Sequence, residues 1–503
     1  MKVFDVETMR NLDKMTIEND LVPGNILMER AGFGAGEIIL NYVNKLDSSF
    51  YRRFLIICGS GNNGGDGFVI SRYLANHCKS EIMVYTVGRI DENKSPDAAF
   101  HASLIPESIT VEDVENYNPK MGDVTVDCLL GTGFKGPLKP LYNMIIKKIN
   151  SSPGRVVSID IPSGLNGNDG TFAGTAVKAD LTISIAYPKI GIFRNDGPSY
   201  SGSLKNVDIG ISDRNMEPLL DTLFIDDIRR MMPRISLDAH KNSRGSVLAV
   251  GGSALYGGAI FLSGEAALRA GAGLCRIVTP NGEVTDRKLS LIVRHSGEKN
   301  GCLKREDFVN IREDIEKSDS IILGPGMGID ERTVTFIELM LTIDKKMVID
   351  ADALNLISSN RHIWKSGEGR VLTPHPGEMK RLLKGFGLEH LQSESRHLQA
   401  LELAKVTDAI VTLKGFHSII AAPDGRFRIN TSGNSNLATA GSGDSLSGVI
   451  AAFINHPFND LYDAASAAVF VHGLAGELSE YGCGTIGDDL PELIAAACKM
   501  VRG

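Results

Sequence analysis

The sequence predicts an α/β fold in two domains, each built on a largely parallel sheet with helices on both faces. Short β-rich apolar runs recur from end to end: Phe54–Cys58, Ile82–Val87, Val124–Leu130, Val156–Ile161, Leu181–Ala186, Val247–Val250, Ile321–Leu323, Met347–Ile349 and Ile410–Leu413. They are continuous rather than alternating, as strands buried on both faces are. Amphipathic helical stretches separate them, and many runs end directly in Gly, Asp or Pro. Parallel sheets of this kind carry their ligand loops at the C-terminal ends of strands. The residues just after each run are therefore the candidates for function.

The length of 503 residues suggests two to four domains. The last clear run of the first part is Leu204–Ile211, the polar stretch Ser212–Asn215 follows, and a new pattern starts at Phe224. The expected division is a first domain over 1–211, a linker over 212–224 and a second domain over 225–503. Hydrophobic residues make up 43% of the chain and charged residues 23%, which excludes disorder as the main state. The net charge of −8 and the lack of a Lys/Arg run argue against a nucleic-acid partner. No apolar stretch approaches 18 residues and the N-terminus lacks the order of a signal peptide, so neither a membrane span nor secretion is expected. The seven cysteines form no CxxC, and reduced thiols in a cytoplasmic protein are the plain expectation. The 54 glycines exceed the average share of about 7% without a three-residue period, so they belong where backbone needs unusual dihedrals or close approach.

In the first domain, Phe54–Cys58 leads into Gly59-Ser60-Gly61-Asn62-Asn63-Gly64-Gly65-Asp66-Gly67 and then a helical stretch at Phe68–Asn76. A loop of this kind offers backbone N–H groups and a positive helix end to a phosphate. It contains GxGxxG, but the second strand ends in Gly88-Arg89 where a dinucleotide fold needs an acid, which disfavours a conventional NAD site. A tight strand–helix turn without ligand is the alternative. Val124–Leu130 carries Asp127 and ends in Gly131–Pro137, and Val156–Ile161 carries Asp160 and ends in Pro162-Ser163-Gly164. An Asp inside an apolar strand is costly unless paired, hydrogen-bonded or bound to a cation. Either could cap a neighbouring loop, or one could hold a metal while the other acts as base or ribose ligand.

The segments LMERAG (27–32), GSGNNGGDGF (59–68), DCLLGTGFKGP (127–137) and DIPSG (160–164) together resemble the YjeF N-terminal domain family, the NAD(P)H-hydrate epimerases. The resemblance implies a Rossmann-like three-layer sandwich. It also implies that Asn62, Asn63, Gly64, Gly65 and Asp66, with Gly131, Thr132, Gly133, Phe134, Lys135, Gly136 and Pro137, contact the hydrated dinucleotide. Asp160 would lie close to the reacting carbon as a catalytic residue. Asn63, Asp127 and Ser163 would coordinate a potassium ion, and oxygen-only ligands suit a hard cation.

In the second domain, Thr439-Ala440-Gly441-Ser442-Gly443-Asp444 turns into the apolar helix Leu446–Phe453. N–H groups at such a turn can stabilise charge on a transferring phosphoryl, and Asp444 is placed to take a proton from an attacking hydroxyl. It could instead serve as an N-cap. Gly324-Pro325-Gly326-Met327-Gly328, Asp350-Ala351-Asp352, Thr373-Pro374-His375-Pro376-Gly377-Glu378 and Lys414-Gly415 each follow an apolar run, on the expected rim of one sheet. His375 lies between two prolines that fix its loop, which favours a positioned contact over a structural one. No GxxxxGK[ST], HExxH or Cys/His zinc spacing occurs.

GPGMG, DADALN, LTPHPGEM, TLKG and NLATAGSGDSLSG resemble the ribokinase-like superfamily, and within it the ADP/ATP-dependent NAD(P)H-hydrate dehydratases. The resemblance implies a ribokinase-like three-layer sandwich. Lys414, Gly415, Phe416, His417, Ser418 and Gly443 would hold the adenine nucleotide with Mg²⁺. Ala259, Gly326, His375 and Asp444 would contact the hydrate, with Asp444 catalytic. The early family motif HKGxxG reads His240-Lys241-Asn242-Ser243-Arg244-Gly245 here, with Asn242 in place of a glycine. The two resemblances together imply a bifunctional enzyme that epimerises NAD(P)H hydrates and dehydrates the S epimer with ADP or ATP. They also imply a homo-oligomer of four or more copies. The rivals are a small-molecule kinase of the ribokinase type, and a first domain that binds nucleotide without catalysis.

Overall fold

The computed structural model describes residues 1–46, 53–134, 136–234, 236, 238, 240–280, 288–297 and 301–502. The chain forms two compact units, Met1–Asp221 and Thr222–Gly503. The boundary falls within the expected 212–224 segment, inside a short strand, Leu220–Leu223. Leu220 and Leu223 are both buried, and their apolar side chains draw this stretch into strand form.

Among the described residues of the first unit, seven parallel strands form one sheet. Their order is Thr110–Asp113, Glu81–Thr86, Arg53–Cys58, Asp123–Cys128, Arg155–Ile159, Leu181–Ile185, Ser203–Val207. The order reverses between Arg53–Cys58 and Asp123–Cys128. At such a switch point the loops diverge to opposite faces and leave a crevice beyond the strand ends. Strand Arg53–Cys58 shows why its apolar run is continuous. Phe54, Ile56 and Cys58 join one core with Ile39 and Ile70, while Leu55 and Ile57 join another with Ile145, Ile146 and Ile149. Alternate side chains thus meet helices Gly24–Leu46 and Asn62–His77 on one face and Pro140–Asn150 on the other.

The second unit places its strands in the order Phe427–Asn430, Ile419–Ala421, Ile410–Leu413, Arg370–Leu372, Lys346–Ile349, Ser320–Leu323, Ser246–Val250, Leu274–Thr279, Ile292–His295. The sheet is parallel from Ile410–Leu413 to Ile292–His295, and the first three strands form an antiparallel edge. Helix Ser442–Phe453 lies in the core, packed on helix Gly257–Ala270. The contact is so close at Gly448 that a Cβ there would sit 2.1 Å from the Ser263 carbonyl oxygen.

Both glycine-rich helices begin earlier than their apolar patterns suggest. One starts at Asn62 rather than Phe68, the other at Ser442 rather than Leu446. Glycine's poor helix propensity hides these first turns in the sequence. All seven cysteines are free thiols. Among the described residues no helix is long and apolar enough to cross a membrane.

Candidate active sites

A cavity of about 600 Å³ opens at the switch point of the first unit, lined by the predicted Asn62, Asn63, Asp66, Gly131, Thr132, Gly133, Phe134 and Asp160. Gly61 is the N-cap of helix Asn62–His77, so the unpaired N–H groups of its first turn lie at the cavity wall. Gly64 and Gly65 are buried within that helix and do not line the cavity, because a side chain at either would strike Gly59 or Met28. Gly136 and Pro137 are exposed and outside the lining, and Lys135 lies outside the described residues.

Asp160 has a backbone φ of 69°, rare for a residue with a Cβ. Its N–H donates to the Ile183 carbonyl at 2.8 Å, and its carboxylate is ion-paired to the buried Lys189. Lys189 Nζ also donates to the Ile185 carbonyl at 2.9 Å. Asp13 lines the same cavity, and its carboxyl is pushed up to about 6 by burial, helped by Asp160 and opposed by Lys189. Burial and the charge of Asp160 also push Asp66 well above the usual carboxylate range. Asp13 and Lys189 were not among the predicted residues. Lys189 follows the run Leu181–Ala186 within three residues, so the strand-end rule could have found it. Asp13 sits on the ordinary amphipathic helix Val6–Glu18 and gave no such signal.

Asp127 is fully buried, and its carboxylate accepts four hydrogen bonds. The donors are Leu129 N–H at 3.2 Å, Ser163 N–H at 3.0 Å, Ser163 Oγ–H at 2.6 Å and Ser158 Oγ–H at 2.8 Å. It therefore ties the loop after its own strand to the Pro162–Gly164 turn. Burial raises its carboxyl despite those donors. The buried Asn63 side chain has neither its oxygen nor its nitrogen hydrogen-bonded within the described residues. An orphaned amide oxygen is one ligand that a hard cation would satisfy.

In the second unit a cavity of about 730 Å³ is lined by the predicted Lys414, Gly415, Phe416, His417, Ser418, Gly443 and His375. Ala259, Gly326 and Asp444 do not line it. Gly326 adopts φ 62° against helix Gly257–Ala270, where a Cβ would stand 2.3 Å from the Tyr256 carbonyl oxygen and 3.1 Å from the Ala259 Cβ. The turn Gly441–Asp444 connects these two parts. A Cβ on Gly441 would meet Leu262, on the Ala259 helix, at 2.6 Å, and a Cβ on Gly443 would meet Lys414 Nζ at 3.3 Å. Gly441 is the N-cap, with φ 86°, and Asp444 sits inside the first turn without capping it. The N-cap reading of Asp444 is thereby set aside.

Lys414 Nζ stands 2.7 Å from Asp350 Oδ1 and 3.9 Å from Glu378 Oε2. Asp350 Oδ2 accepts Ser447 Oγ–H at 2.6 Å from the helix that begins at Ser442. Burial, with Asp350 and Asp352 adding to it against Lys414, pushes the Asp444 carboxyl up to about 6. Burial likewise pushes Glu378 up to about 7. His375 Nδ1 accepts the N–H of Gly377 at 2.9 Å, while Glu378 Oε2 accepts the His375 N–H at 2.7 Å. His375 is thus both a helix cap and a cavity wall. Arg396 donates to the carbonyls of Phe416 at 2.8 Å and Lys414 at 3.3 Å, holding the Lys414–Ser418 loop. Asp350, Asp352 and Glu378 were quoted within motifs but given no role, and Arg396 and the cavity-lining His472 carried no signal.

Residues 24–191 match the family described as YjeF-related protein N-terminus, and residues 247–498 match the family described as NAD(P)H-hydrate dehydratase. The chain is 34% identical over 492 residues to the bifunctional NAD(P)H-hydrate repair enzyme Nnr of Thermofilum pendens, covering 95% of this chain and 92% of that protein. Against the Escherichia coli K12 protein of the same name the identity is 31% over 471 residues, 90% of this chain and 85% of that one. A ribokinase-like superfamily protein from Enterococcus faecalis, 25% identical, covers 57% of this chain and 99% of its own with a TM-score of 0.50.

Proposed function

This chain belongs to the family of bifunctional NAD(P)H-hydrate repair enzymes, and we propose how its two sites divide that work. The first unit epimerises NAD(P)H hydrate at the hydroxyl-bearing carbon beside the ring nitrogen. The second dehydrates the S epimer to NAD(P)H with ADP or ATP, releasing AMP or ADP and phosphate.

In the second unit the nucleotide occupies the cavity walled by Lys414–Ser418. The hydrate lies across the Gly441–Asp444 turn, against Ala259 and Gly326, and His375 meets it from the wall of the nucleotide cavity. Asp444 takes the proton of the hydrate hydroxyl as its oxygen attacks the terminal phosphoryl. The N–H groups of the first helical turn stabilise the charge that develops. Hydroxyl is a poor leaving group and phosphate a good one, so elimination then restores the dihydronicotinamide. Among the described residues no three His, Cys, Asp or Glu side chains cluster as a metal cage. Mg²⁺ would be held chiefly by the nucleotide phosphates. It would neutralise phosphate charge.

In the first unit the N-terminus of helix Asn62–His77 and the Gly131–Phe134 loop receive the pyrophosphate. Asn63, Asp127 and Ser163 would hold K⁺, which would brace the floor of the pocket. The orphaned Asn63 amide oxygen is the feature that fits it.

The observation that carries the dehydratase reading is the placement of the Gly441–Asp444 turn against both Leu262 and Lys414. The test is to incubate the full chain with ADP and hydrated NADH. Recovery of the near-ultraviolet absorbance of the dihydronicotinamide is expected. A plain small-molecule kinase would consume nucleotide and leave that absorbance unchanged.

A further inference from the structure

The first-unit cavity gathers four carboxylates from four separate elements, Asp97 of helix Pro96–Ser103 among them. Asp13 comes from helix Val6–Glu18, Asp66 from helix Asn62–His77, and Asp160 follows strand Arg155–Ile159. Arg10 and Lys94 also line the cavity but are exposed, whereas Lys189 is buried. Its ammonium is committed to the Asp160 carboxylate and the Ile185 carbonyl. Asp13 makes no ion pair with any described residue. One buried cation thus serves one of the four acids.

We propose that Asp13 and Asp160 are the acid and base of the epimerase cavity, and that Lys189 is the positioning residue that fixes Asp160. The proposal rests on reading this unit as the epimerase. Like charges crowded into one cavity raise one another's cost of ionisation, and of these acids Asp160 is the one with the Lys189 ammonium against it. Asp13 is raised by burial and by Asp160 against Lys189, and so holds a proton toward the cavity; Asp66, also raised, faces it from the neighbouring helix, and Arg10 lies on its own. A raised carboxyl and an ion-paired carboxylate facing one cavity supply a proton donor and a proton acceptor. The left-handed backbone at Asp160, tied by its N–H to Ile183, is the kind of strain that persists where a side chain must point one way.

The chemistry balances with water as the only co-reactant. The Asp13 carboxyl gives its proton to the hydroxyl on the carbon beside the ring nitrogen. That C–O bond breaks, water leaves, and the nitrogen lone pair forms a C=N iminium. A water on the opposite face then adds to the carbon, the C=N pair returns to nitrogen, and Asp160 takes the proton released. Transfer of that proton to Asp13 through cavity water resets the pair.

The test uses the full chain, purified R hydrate of NADH and no nucleotide, so that the second unit is idle. The unaltered protein gives the reference. No R-to-S conversion by it would overturn the epimerase reading of the unit, whatever the variants do. If it converts, Asp13→Asn is expected to lower kcat by about 10²–10⁴-fold with KM little changed, the range for a lost acid–base group. Activity of the unaltered protein falls as pH rises through about 6, where Asp13 loses its proton. That limb is absent in Asp13→Asn and retained in Asp13→Glu. Lys189→Ala loses kcat and regains it with added ethylamine. Conversion by Asp13→Asn at the wild-type rate, or a pH limb that survives the substitution, would overturn the assignment of Asp13. A Lys189→Ala protein that ethylamine does not rescue would overturn that of Lys189.

Discussion

Lys414 Nζ and Asp350 Oδ1 stand 2.7 Å apart at the ends of two strands, and the same carboxylate receives Ser447 Oγ–H from the helix that carries Asp444. One ion pair therefore ties the Lys414–Ser418 loop to the helix Ser442–Phe453. Asp350 is 1% exposed and Lys414 19%, so neither charge has water to fall back on. Removing one partner of such a pair costs about 3–5 kcal/mol, because the other is left buried and uncompensated. Lys414→Met is expected to abolish dehydration and to destabilise the second unit by that order. Adding Asp350→Asn should recover part of the stability and none of the activity. Trp364 is the sole tryptophan and is buried in this unit, so its fluorescence during urea unfolding reads this unit and not the other. A Lys414→Met protein as stable as the parent would sink the argument.

On the proposed mechanism, Asp444 sets the pH dependence of dehydration. Its carboxyl is pushed up to about 6, and it must be ionised to accept a proton. Dehydration should rise with pH through about 6 and then level. Stability moves the other way. The folded value lies above the unfolded 3.8, so the native state holds more protons between those values and stability falls as pH rises across that window. Asp444→Asn should abolish dehydration, leave epimerisation intact, and be more stable than the parent above pH 6 by at most ~3 kcal/mol, the equivalent of about two pKa units. The Trp364 transition measured at pH 4 and pH 7 checks the sign. A variant less stable than the parent at pH 7 contradicts it.

Arg396 acts through the backbone. Its guanidinium donates to the carbonyls of Phe416 and Lys414, and no lysine can reproduce that planar fork. Arg396→Lys should loosen the Lys414–Ser418 loop and weaken ADP binding by about tenfold, or 1.4 kcal/mol, by isothermal titration. Turnover at saturating nucleotide should change little, because the Gly441–Asp444 turn is untouched. Unaltered ADP affinity would show that the loop holds its shape without Arg396.

Both cavities were legible wherever their lining coincides with a strand end. Phe54–Cys58 and Asp123–Cys128 announce themselves by unbroken apolar runs, and the glycine loops after them line the first cavity. What the sequence hides is whatever reaches a site from an element with another reason to exist. Asp13 sits among polar residues on a surface-type helix, and His472 lies within the uniformly buried helix Leu461–Leu478. Arg396 is one cation among many until its carbonyl partners are seen. The edge strands Ile419–Ala421 and Phe427–Asn430 were missed because each is short and they pair antiparallel in a sheet read as parallel. The glycine surplus divides similarly. Gly326 takes a left-handed turn against Tyr256 and Ala259, while Gly448 lies outside the cavity lining and allows two helices to touch.

His375 separates a cap from a contact. Burial and the charges of Lys414 and Arg381 lower its pKa, so the ring is neutral at pH 7. Its Nδ1 accepts N–H groups of helix Pro376–Gly385, which puts the ring proton on Nε2, 3.4 Å from Glu378 Oε1. Asparagine is as good an N-cap as any residue, whereas alanine costs about 1 kcal/mol. His375→Asn should therefore keep the Trp364 unfolding transition close to that of the parent, and His375→Ala should lower it. If the ring were no more than a cap, His375→Asn would dehydrate normally. With the ring walling the cavity beside Lys414 and Gly443, both variants should lose dehydration to a similar extent, and epimerisation should survive in each.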